Sequence, residues 1–321
     1  SIKPWVKVSS SPIGKYRDTN RYPSRGWNAY HVVYQDAQRW LKEGIHDALF
    51  PMMYFQGNNF YPFALDWKEN DGKRWIIPGL GIYFLSPREQ DWPLDEIVRQ
   101  IHFTRQIKLN GQAYFRNRFL LDNTKGVLDE LEENFYTYPA LIPPMTWSDS
   151  IPPSVPSHPS VQQIANGKLR MSWQASADNS NQSVVYHLYG SDTYPVDIKQ
   201  PQNLIATHLI ANEYEYTAKL PWLQKRYFAV TAADRFGNES APLTLNTVSD
   251  MDIPLLNKGN MLYLPEIKDA QTIIIYNMTN EEIWKTGYVH KLSLVSLPNG
   301  FYTVKIFNRQ GKSLFAGSIM K

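Results

Sequence analysis

Residues 40–55, Trp40-Leu41-Lys42-Glu43-Gly44-Ile45-His46-Asp47-Ala48-Leu49-Phe50-Pro51-Met52-Met53-Tyr54-Phe55, run from the end of a helix into a strand. The helix is predicted from apolar residues at helical spacing: Tyr30, Val33, Tyr34, Ala37, Trp40 and Leu41. Gly44 stands where a glycine commonly ends a helix. The apolar run over residues 48–55 then predicts a strand.

The same alternation of strand and helix extends on both sides of this stretch. Strands are predicted over residues 5–8, 76–84 and 111–120, and a helix over residues 60–70. Another helix opens at Asp91-Trp92-Pro93, and its apolar residues are Leu94, Ile97, Val98 and Ile101. The last helix carries Val127, Leu128, Leu131 and Phe135. Four consecutive βα units imply a parallel sheet, and both a small doubly wound sheet and half of a (β/α)₈ barrel satisfy this pattern.

The rest of the chain is predicted to be all-β. A stiff linker rich in proline and serine occupies residues 146–160. Strands follow at residues 169–173, 184–189, 214–220, 227–232 and 243–248. With Trp173 as a core tryptophan, the run Leu220-Pro221 before residues 227–232, and a hairpin turn at residues 234–240, this module resembles a fibronectin type III domain.

The C-terminal segment repeats the all-β pattern. Its runs Ile273-Ile274-Ile275-Tyr276-Asn277 and Leu297-Pro298-Asn299-Gly300-Phe301-Tyr302-Thr303-Val304-Lys305-Ile306 resemble the sorting-type β-sandwich that ends secreted Bacteroidetes proteins. The predicted domains are therefore residues 1–145, a linker at 146–160, a fibronectin type III-like sandwich at 161–249 and a last sandwich at 250–321. The overall fold class is multidomain α/β plus all-β.

Composition excludes several functions. A net charge of +3, without a dense basic run, argues against nucleic acid as a partner. With Cys 0 and scattered histidines, the sequence predicts neither a thiol nucleophile nor a metal, and we expect no cofactor. No apolar stretch is long enough for a transmembrane segment. The chain opens at Ser1 rather than at Met, which favours a mature fragment of a longer protein.

Three blocks near the N-terminus resemble the second half of the glycosyl-hydrolase-like 10 domain. They are Lys3-Pro4-Trp5-Val6-Lys7 with Ser11-Pro12-Ile13-Gly14-Lys15-Tyr16-Arg17, residues 40–47, and residues 51–55. This resemblance implies the C-terminal half of a (β/α)₈ glycosidase barrel, in a family that includes envelope lipoproteins cleaving peptide-free peptidoglycan. Met52 stands where the family has Gln, so that polar contact is lost or moved to Gln56. The family's Asp-containing motif belongs to the first four βα units and has no counterpart here.

In such a barrel, reactive groups follow the C-terminal ends of the strands. The loops predicted there carry these polar side chains: Ser9, Ser11, Arg17 and Asp18; Tyr54 and Gln56; Tyr83, Arg88 and Glu89; Arg116, Asn117 and Arg118. Glycoside hydrolysis normally uses two carboxyl groups at a set separation, and these loops offer Asp18 and Glu89. Each stands beside an arginine, as a surface ion pair would. We therefore predict a substrate-binding wall of Tyr54, Gln56 and Tyr83 first, then Arg17, Asp18, Arg116 and Asn117, and leave the catalytic residues unassigned.

Two functions remain open. The first is a secreted or cell-envelope glycoside hydrolase that acts on a polysaccharide or glycan strand, of which this chain alone is inactive. The second is a non-catalytic carbohydrate-binding or surface scaffold protein. Because half a barrel leaves two strand edges unpaired, we also expect a homo-oligomer formed through those edges.

Overall fold

A computed structural model describes residues 3–24, 26–165, 167–218, 225–246, 260–264 and 267–321, together with the backbone of residues 256–258. The chain divides into two compact units. Unit 1 comprises Ser1–Thr137 and Ile142–Ser150, and unit 2 comprises Tyr138–Leu141 and Ile151–Lys321. No helix in the described ranges is both long and apolar enough to span a bilayer.

Unit 1 contains a parallel sheet of short strands. In chain order they are Ser9–Ser10 (β1), Ala48–Leu49 (β2), Met52–Met53 (β3), Trp75–Ile76 (β4), Gly79–Leu80 (β5) and Ala113–Tyr114 (β6). The strand order is β1-β2-β4 in one ladder and β3-β5-β6 in the next, and Ile13 bridges to Met52 beside β3. The parallel sheet expected from the sequence is present, whereas its place as half of a (β/α)₈ barrel stays a prediction.

Three prolines explain why the strands are so short. Met52 N–H donates to the Pro12 carbonyl at 2.9 Å, Gly79 N–H to the Pro51 carbonyl at 2.8 Å, and Ala113 N–H to the Pro78 carbonyl at 3.0 Å. Each proline accepts from the next strand but has no N–H to return, so the ladder is interrupted at that level. β2 with β3, and β4 with β5, are therefore the two parts of single strands.

Helices connect these strands. They are Ala29–Val32 (α1), Ala37–Lys42 (α2), Tyr61–Glu69 (α3), Leu94–Gln106 (α4), Asn117–Leu121 (α5) and Val127–Glu130 (α6), the last continued by a π-helical turn over Leu131–Phe135. Fully buried Phe63 and Trp67 of α3, with Ile97 and Ile101 of α4, pack into one core with the sheet. The Trp67 indole also donates to the Gly14 carbonyl at 2.7 Å, which fixes α3 to the end of the first strand.

The helix predicted from Tyr30 to Leu41 is wrong in one respect, because the structure divides it into α1 and α2. Tyr34 lies between them with a φ of 56° and is 87% exposed. The next two side chains turn toward the first strand: Gln35 Oε1 accepts from Ile13 N–H at 3.0 Å, and Asp36 Oδ1 accepts from the Tyr16 hydroxyl at 2.6 Å. These long-range hydrogen bonds replace the continuous helix.

Strand predictions in unit 1 also need correction, and the one over residues 76–84 gives way to a 3₁₀ helix at Ile82–Leu85. The first strand begins at Ser9 rather than at residue 5, after Asp47 has accepted a hydrogen bond from Val8 N–H at 2.8 Å. The strand predicted over residues 111–120 is confined to Ala113–Tyr114, and α5 begins at Asn117. Residues 116–118, placed in a loop by the sequence, therefore straddle the start of a helix.

Trp147 lies in the predicted linker 146–160 and packs in unit 1. Its indole donates to Asp47 Oδ1 at 2.9 Å and meets the Trp75 ring edge-on at 5.5 Å. The Arg74 guanidinium lies 4.7 Å from its ring centroid. Because Asp47 and Trp75 stand at the N-terminal ends of their strands, Trp147 covers the edge of the sheet opposite the candidate site.

The first sandwich of unit 2 has a three-stranded and a four-stranded sheet. Its strands are Ser157–Ala165 (β7), Lys168–Gln174 (β8), Val185–Ser191 (β9), Leu204–Leu209 (β10), Glu213–Thr217 (β11), Tyr227–Ala233 (β12) and Leu243–Thr244 (β13). The sheets are ordered β11-β8-β7 and β10-β9-β12-β13, all antiparallel. Trp173 packs in the core against Tyr186, as expected. Leu220-Pro221 and residues 247–248 of the last predicted strand lie outside the described residues.

The second sandwich repeats the arrangement of three plus four strands. Its strands are Leu256–Lys258 (β14), Met261–Tyr263 (β15), Thr272–Tyr276 (β16), Glu282–Gly287 (β17), Lys291–Ser293 (β18), Phe301–Phe307 (β19) and Ser313–Met320 (β20). The sheets are ordered β14-β15-β18 and β17-β16-β19-β20. Buried residues such as Ile273, Val304 and Phe315 form its core. The resemblance of this sandwich to a sorting domain stays a prediction.

Candidate functional site at the carboxyl edge of the parallel sheet

The C-terminal ends of the parallel strands bring four chain segments to one edge of unit 1. The segments begin after Ile13, β3, β5 and β6. In parallel α/β folds this edge is where ligands bind, because the loops that leave it are free of the sheet's own hydrogen bonding. The side chains of these four segments are therefore the candidate site.

Three rings from three of the segments form an aromatic cluster: Tyr54, Tyr83 and Phe115. Tyr54 and Phe115 are stacked, with centroids 5.2 Å apart and an interplanar angle of 15°. Tyr83 stands edge-on to both, 5.7 Å from each and at 88° to each. Phe115 is 44% exposed, so the cluster presents an aromatic face to solvent.

Two glycines make room for this cluster. A Cβ on Gly79 would lie 3.2 Å from Tyr54 Cε1, and a Cβ on Gly81 would lie 3.1 Å from Tyr54 Cβ and 3.2 Å from Phe84 Cδ2. All three distances are shorter than the usual contact between carbon atoms. The Tyr54 side chain can therefore lie over β5 because these two positions carry no side chain.

Arg116 extends the aromatic cluster with charge. Its guanidinium carbon lies 5.4 Å from the Tyr83 centroid and 5.6 Å from the Phe115 centroid. Its Nη2 is 3.7 Å from Glu89 Oε1, and both side chains are substantially exposed. Arg116 thus offers planar hydrogen-bond donors at the border of an aromatic surface, an arrangement suited to a ligand with ring faces and oxygen atoms.

The two tyrosines of the cluster remain protonated at neutral pH. Burial raises the pKa of Tyr54, and Tyr83 adds to this effect; burial also raises the pKa of Tyr83, with Glu89 adding and Arg116 opposing. Within the described ranges neither hydroxyl has a hydrogen-bond partner. Each can therefore donate to, or accept from, a ligand.

Arg17 and Asp18, after the first strand, lie at the same edge but make separate local contacts. The Arg17 guanidinium lies 5.7 Å from the Tyr16 centroid, and Asp18 accepts a hydrogen bond from the Ser24 hydroxyl at 3.3 Å. Both side chains are exposed, as are Gln56 before a 3₁₀ turn and Asn117 at the start of α5. Of the seven predicted residues, three are connected: Tyr54 contacts Tyr83, and Tyr83 contacts Arg116.

Sequence reasoning missed three residues at this edge. Phe115 was predicted to lie within a strand. The polar run Arg116-Asn117-Arg118 directly after it was the signal that the strand ends there. Lys15 is 5% exposed and donates to Asn59 Oδ1 at 2.8 Å. Gln100 is fully buried and donates from Nε2 to the Phe55 carbonyl at 2.9 Å, which holds the segment after β3 in place. The sequence signal for Gln100 was the pair of polar residues, Glu96 and Gln100, among the apolar residues of the buried face of α4.

The two predicted carboxylates at this edge, Asp18 and Glu89, each contact a neighbouring side chain. Asp18 is bonded to Ser24, and Glu89 faces Arg116. Over the residues that the structure describes, no group of three or more His, Asp or Glu side chains could hold a metal ion.

Comparison with known proteins finds relatives of this chain that are named glycosyl hydrolase. No family model matches the chain. It is 30% identical over 256 residues to the glycosyl hydrolase YngK of Bacillus subtilis (strain 168), a match covering 75% of this chain and 49% of that protein. It is 27% identical over 144 residues to the glycosyl hydrolase DigH of Escherichia coli (strain K12), covering 37% of this chain and 31% of that protein. The chain is thus homologous to proteins named glycosyl hydrolase, and it spans half or less of their length.

Solved structures that match include two with fibronectin type III domains. One is the chicken CNTN1 FN1-FN3 domains, with a TM-score of 0.20 and 14% identity over 53% of this chain and 67% of that one. The other is a two-domain fibronectin type III segment of chicken tenascin, with a TM-score of 0.19 and 13% identity over 52% of this chain and 100% of that one.

Proposed function

We propose that this chain is part of a glycoside hydrolase-like protein and that the carboxyl edge of the sheet in unit 1 is one wall of its polysaccharide-binding cleft. The observation that carries the proposal is the stack of Tyr54 on Phe115, flanked by Tyr83 and Arg116. Aromatic faces pack on the apolar faces of sugar rings, while the phenols and the guanidinium bond to sugar hydroxyls. Homology to proteins named glycosyl hydrolase supports the same conclusion.

The remaining steps of the proposal concern the whole protein. The four βα units of unit 1 form one half of a (β/α)₈ barrel, and the carboxyl pair that cleaves the glycosidic bond belongs to the other half. The substrate is a β-linked amino-sugar polymer such as peptide-free peptidoglycan glycan strands. The protein acts in the cell envelope or after secretion.

Binding of the 321-residue chain to peptide-free glycan strands, measured by isothermal titration calorimetry, tests the wall. Tyr54→Ala and Phe115→Ala each remove one aromatic face that packs on a sugar ring in the proposed cleft. A loss of about 1 kcal/mol of binding free energy raises the dissociation constant about fivefold. Phe301→Ala is the matched control, because Phe301 is an exposed aromatic residue (58%) on β19 of unit 2. Equal affinity of all three variants and the parent chain would refute the proposed wall.

The second candidate is a non-catalytic carbohydrate-binding or surface scaffold protein, which the aromatic cluster of Tyr54, Tyr83 and Phe115 supports equally. The two candidates differ in what the full-length gene product does to the same glycan strands. Release of new reducing ends by that product supports the hydrolase. Binding without release of reducing ends supports the scaffold.

A further inference from the structure

Lys15 is a buried cation at the carboxyl edge that the proposed wall does not use. It follows the first strand, and its Nζ lies over the rings of Phe55 and Phe63, 4.8 Å and 5.0 Å from their centroids. Its hydrogen bond to Asn59 Oδ1 occupies one of three ammonium donors. Lysine is almost never this buried without a partner that balances its charge.

No carboxylate in the described part of the chain forms an ion pair with Lys15. Asp18 acts on it from a longer distance, where it raises the pKa of Lys15 by less than burial lowers it. Asn59 supplies a neutral acceptor, and the aromatic rings supply weak electrostatic attraction. Among the described residues, the ammonium therefore keeps donors without an acceptor, and no ion pair balances its charge.

The loop that carries Gly26 and Trp27 returns alongside Lys15. Ala29 N–H donates to the Lys15 carbonyl at 2.8 Å, and a Cβ on Gly26 would lie 3.6 Å from Lys15 Nζ. Trp27, the next residue, is 68% exposed. An exposed indole thus stands one residue from the point where the chain meets the ammonium.

From these contacts we propose that Lys15 binds the carboxylate of an acidic sugar, and that Trp27 supplies the stacking face for that sugar's ring. This inference rests on the proposed function and names the charge of the substrate at one subsite. A carboxylate supplied by the ligand would balance the charge of Lys15 and fill its free donors in a charge-assisted hydrogen bond. A neutral sugar would fill the donors but leave the charge uncompensated.

The test compares two ligands that differ in that charge. They are a tetrasaccharide of alternating N-acetylglucosamine and N-acetylmuramic acid, and the same compound with its carboxyl groups reduced to alcohols. We expect the parent chain to prefer the carboxylated ligand by about tenfold, the usual strength of a hydrogen bond to a charged group. Lys15→Met keeps most of the apolar stem and should abolish the preference. Lys42→Met removes an equally positive but exposed side chain at the end of α2 and should retain it.

Gly26→Asp gives a second test that leaves Lys15 in place. Gly26 has no left-handed φ, and its Cβ position places a carboxylate within hydrogen-bond reach of Lys15 Nζ. An internal carboxylate should replace the ligand's, so the preference should vanish while thermal stability is kept or raised. A tenfold preference that persists in folded Lys15→Met and in Gly26→Asp would overturn the inference but leave the wall intact. If the parent chain binds neither ligand, the proposed function fails as well.

Discussion

Replacing Gly14 by alanine should separate the first strand from the second. A Cβ on Gly14 would lie 2.3 Å from the Met52 carbonyl oxygen, 2.7 Å from its carbon and 2.8 Å from Met53 Cα. All three atoms are backbone, so no side-chain rotation relieves the overlap, and the strands must part by about 1 Å to restore normal contact. The parting also weakens the hydrogen bond from Met52 N–H to the Pro12 carbonyl.

Overpacking of this kind costs about 3 kcal/mol, and the weakened hydrogen bond adds about 1 kcal/mol. For a unit of this size we expect the melting temperature of unit 1 to fall by about 10 °C, with the transition of unit 2 unchanged. Calorimetry of the whole chain measures both, and amide exchange at Met52 reports the local opening. Gly111→Ala is the control, since its Cβ would meet nothing closer than Ile77 Cγ2 at 3.8 Å. Equal melting of the two variants would refute the pairing of Gly14 with β3.

Three further predictions concern other parts of the chain. Burial lowers the pKa of His187, so the unfolded chain binds a proton before the folded chain does as pH falls below about 6.5. Unit 2 should therefore lose stability as the pH falls from 7 to 5. Melting curves over this range should show a smaller loss for His187→Gln. Trp147→Phe removes the hydrogen bond to Asp47 and should lower the free energy of unfolding of unit 1 by about 1.5 kcal/mol in urea titrations. An unchanged midpoint of the urea unfolding transition would contradict this prediction. The edge strands β1 and β6 should drive self-association, which a monodisperse monomer in light scattering would contradict.

The sequence was informative where a structural element depends on its own residues. The apolar spacing in α3 and α4 located both helices to within a few residues, and Asp234-Arg235-Phe236-Gly237-Asn238 forms the expected hairpin turn, with Gly237 at a φ of 86°. Tyr54 and Tyr83 were found at the sheet edge because each follows an apolar run that ends there. These features depend on periodicity and strand position, which a single sequence displays.

The amino-acid sequence was uninformative where a contact joins residues that are distant in the chain. The break between α1 and α2 depends on Ile13 and Tyr16, which lie about twenty positions earlier and bond to Gln35 and Asp36. Lys15 was passed over because lysine is normally solvated, and its burial follows from Asn59, which is 44 residues away in sequence. Periodicity carries no signal for such pairs.

The site follows from the alignment of three prolines across the sheet. Met52, Gly79 and Ala113 donate to Pro12, Pro51 and Pro78, so residues 12, 51, 78 and 112 occupy corresponding levels of successive strands. Three residues further on stand Lys15, Tyr54, Gly81 and Phe115, one from each strand end. The third of these has no side chain, and a Cβ there would lie 3.1 Å from Tyr54 Cβ, so glycine leaves room for Tyr54, whose ring stacks on Phe115 at 5.2 Å. The same level places the buried ammonium one strand from the stack, so a single row across the sheet carries both the aromatic wall and the charge proposed to select its ligand.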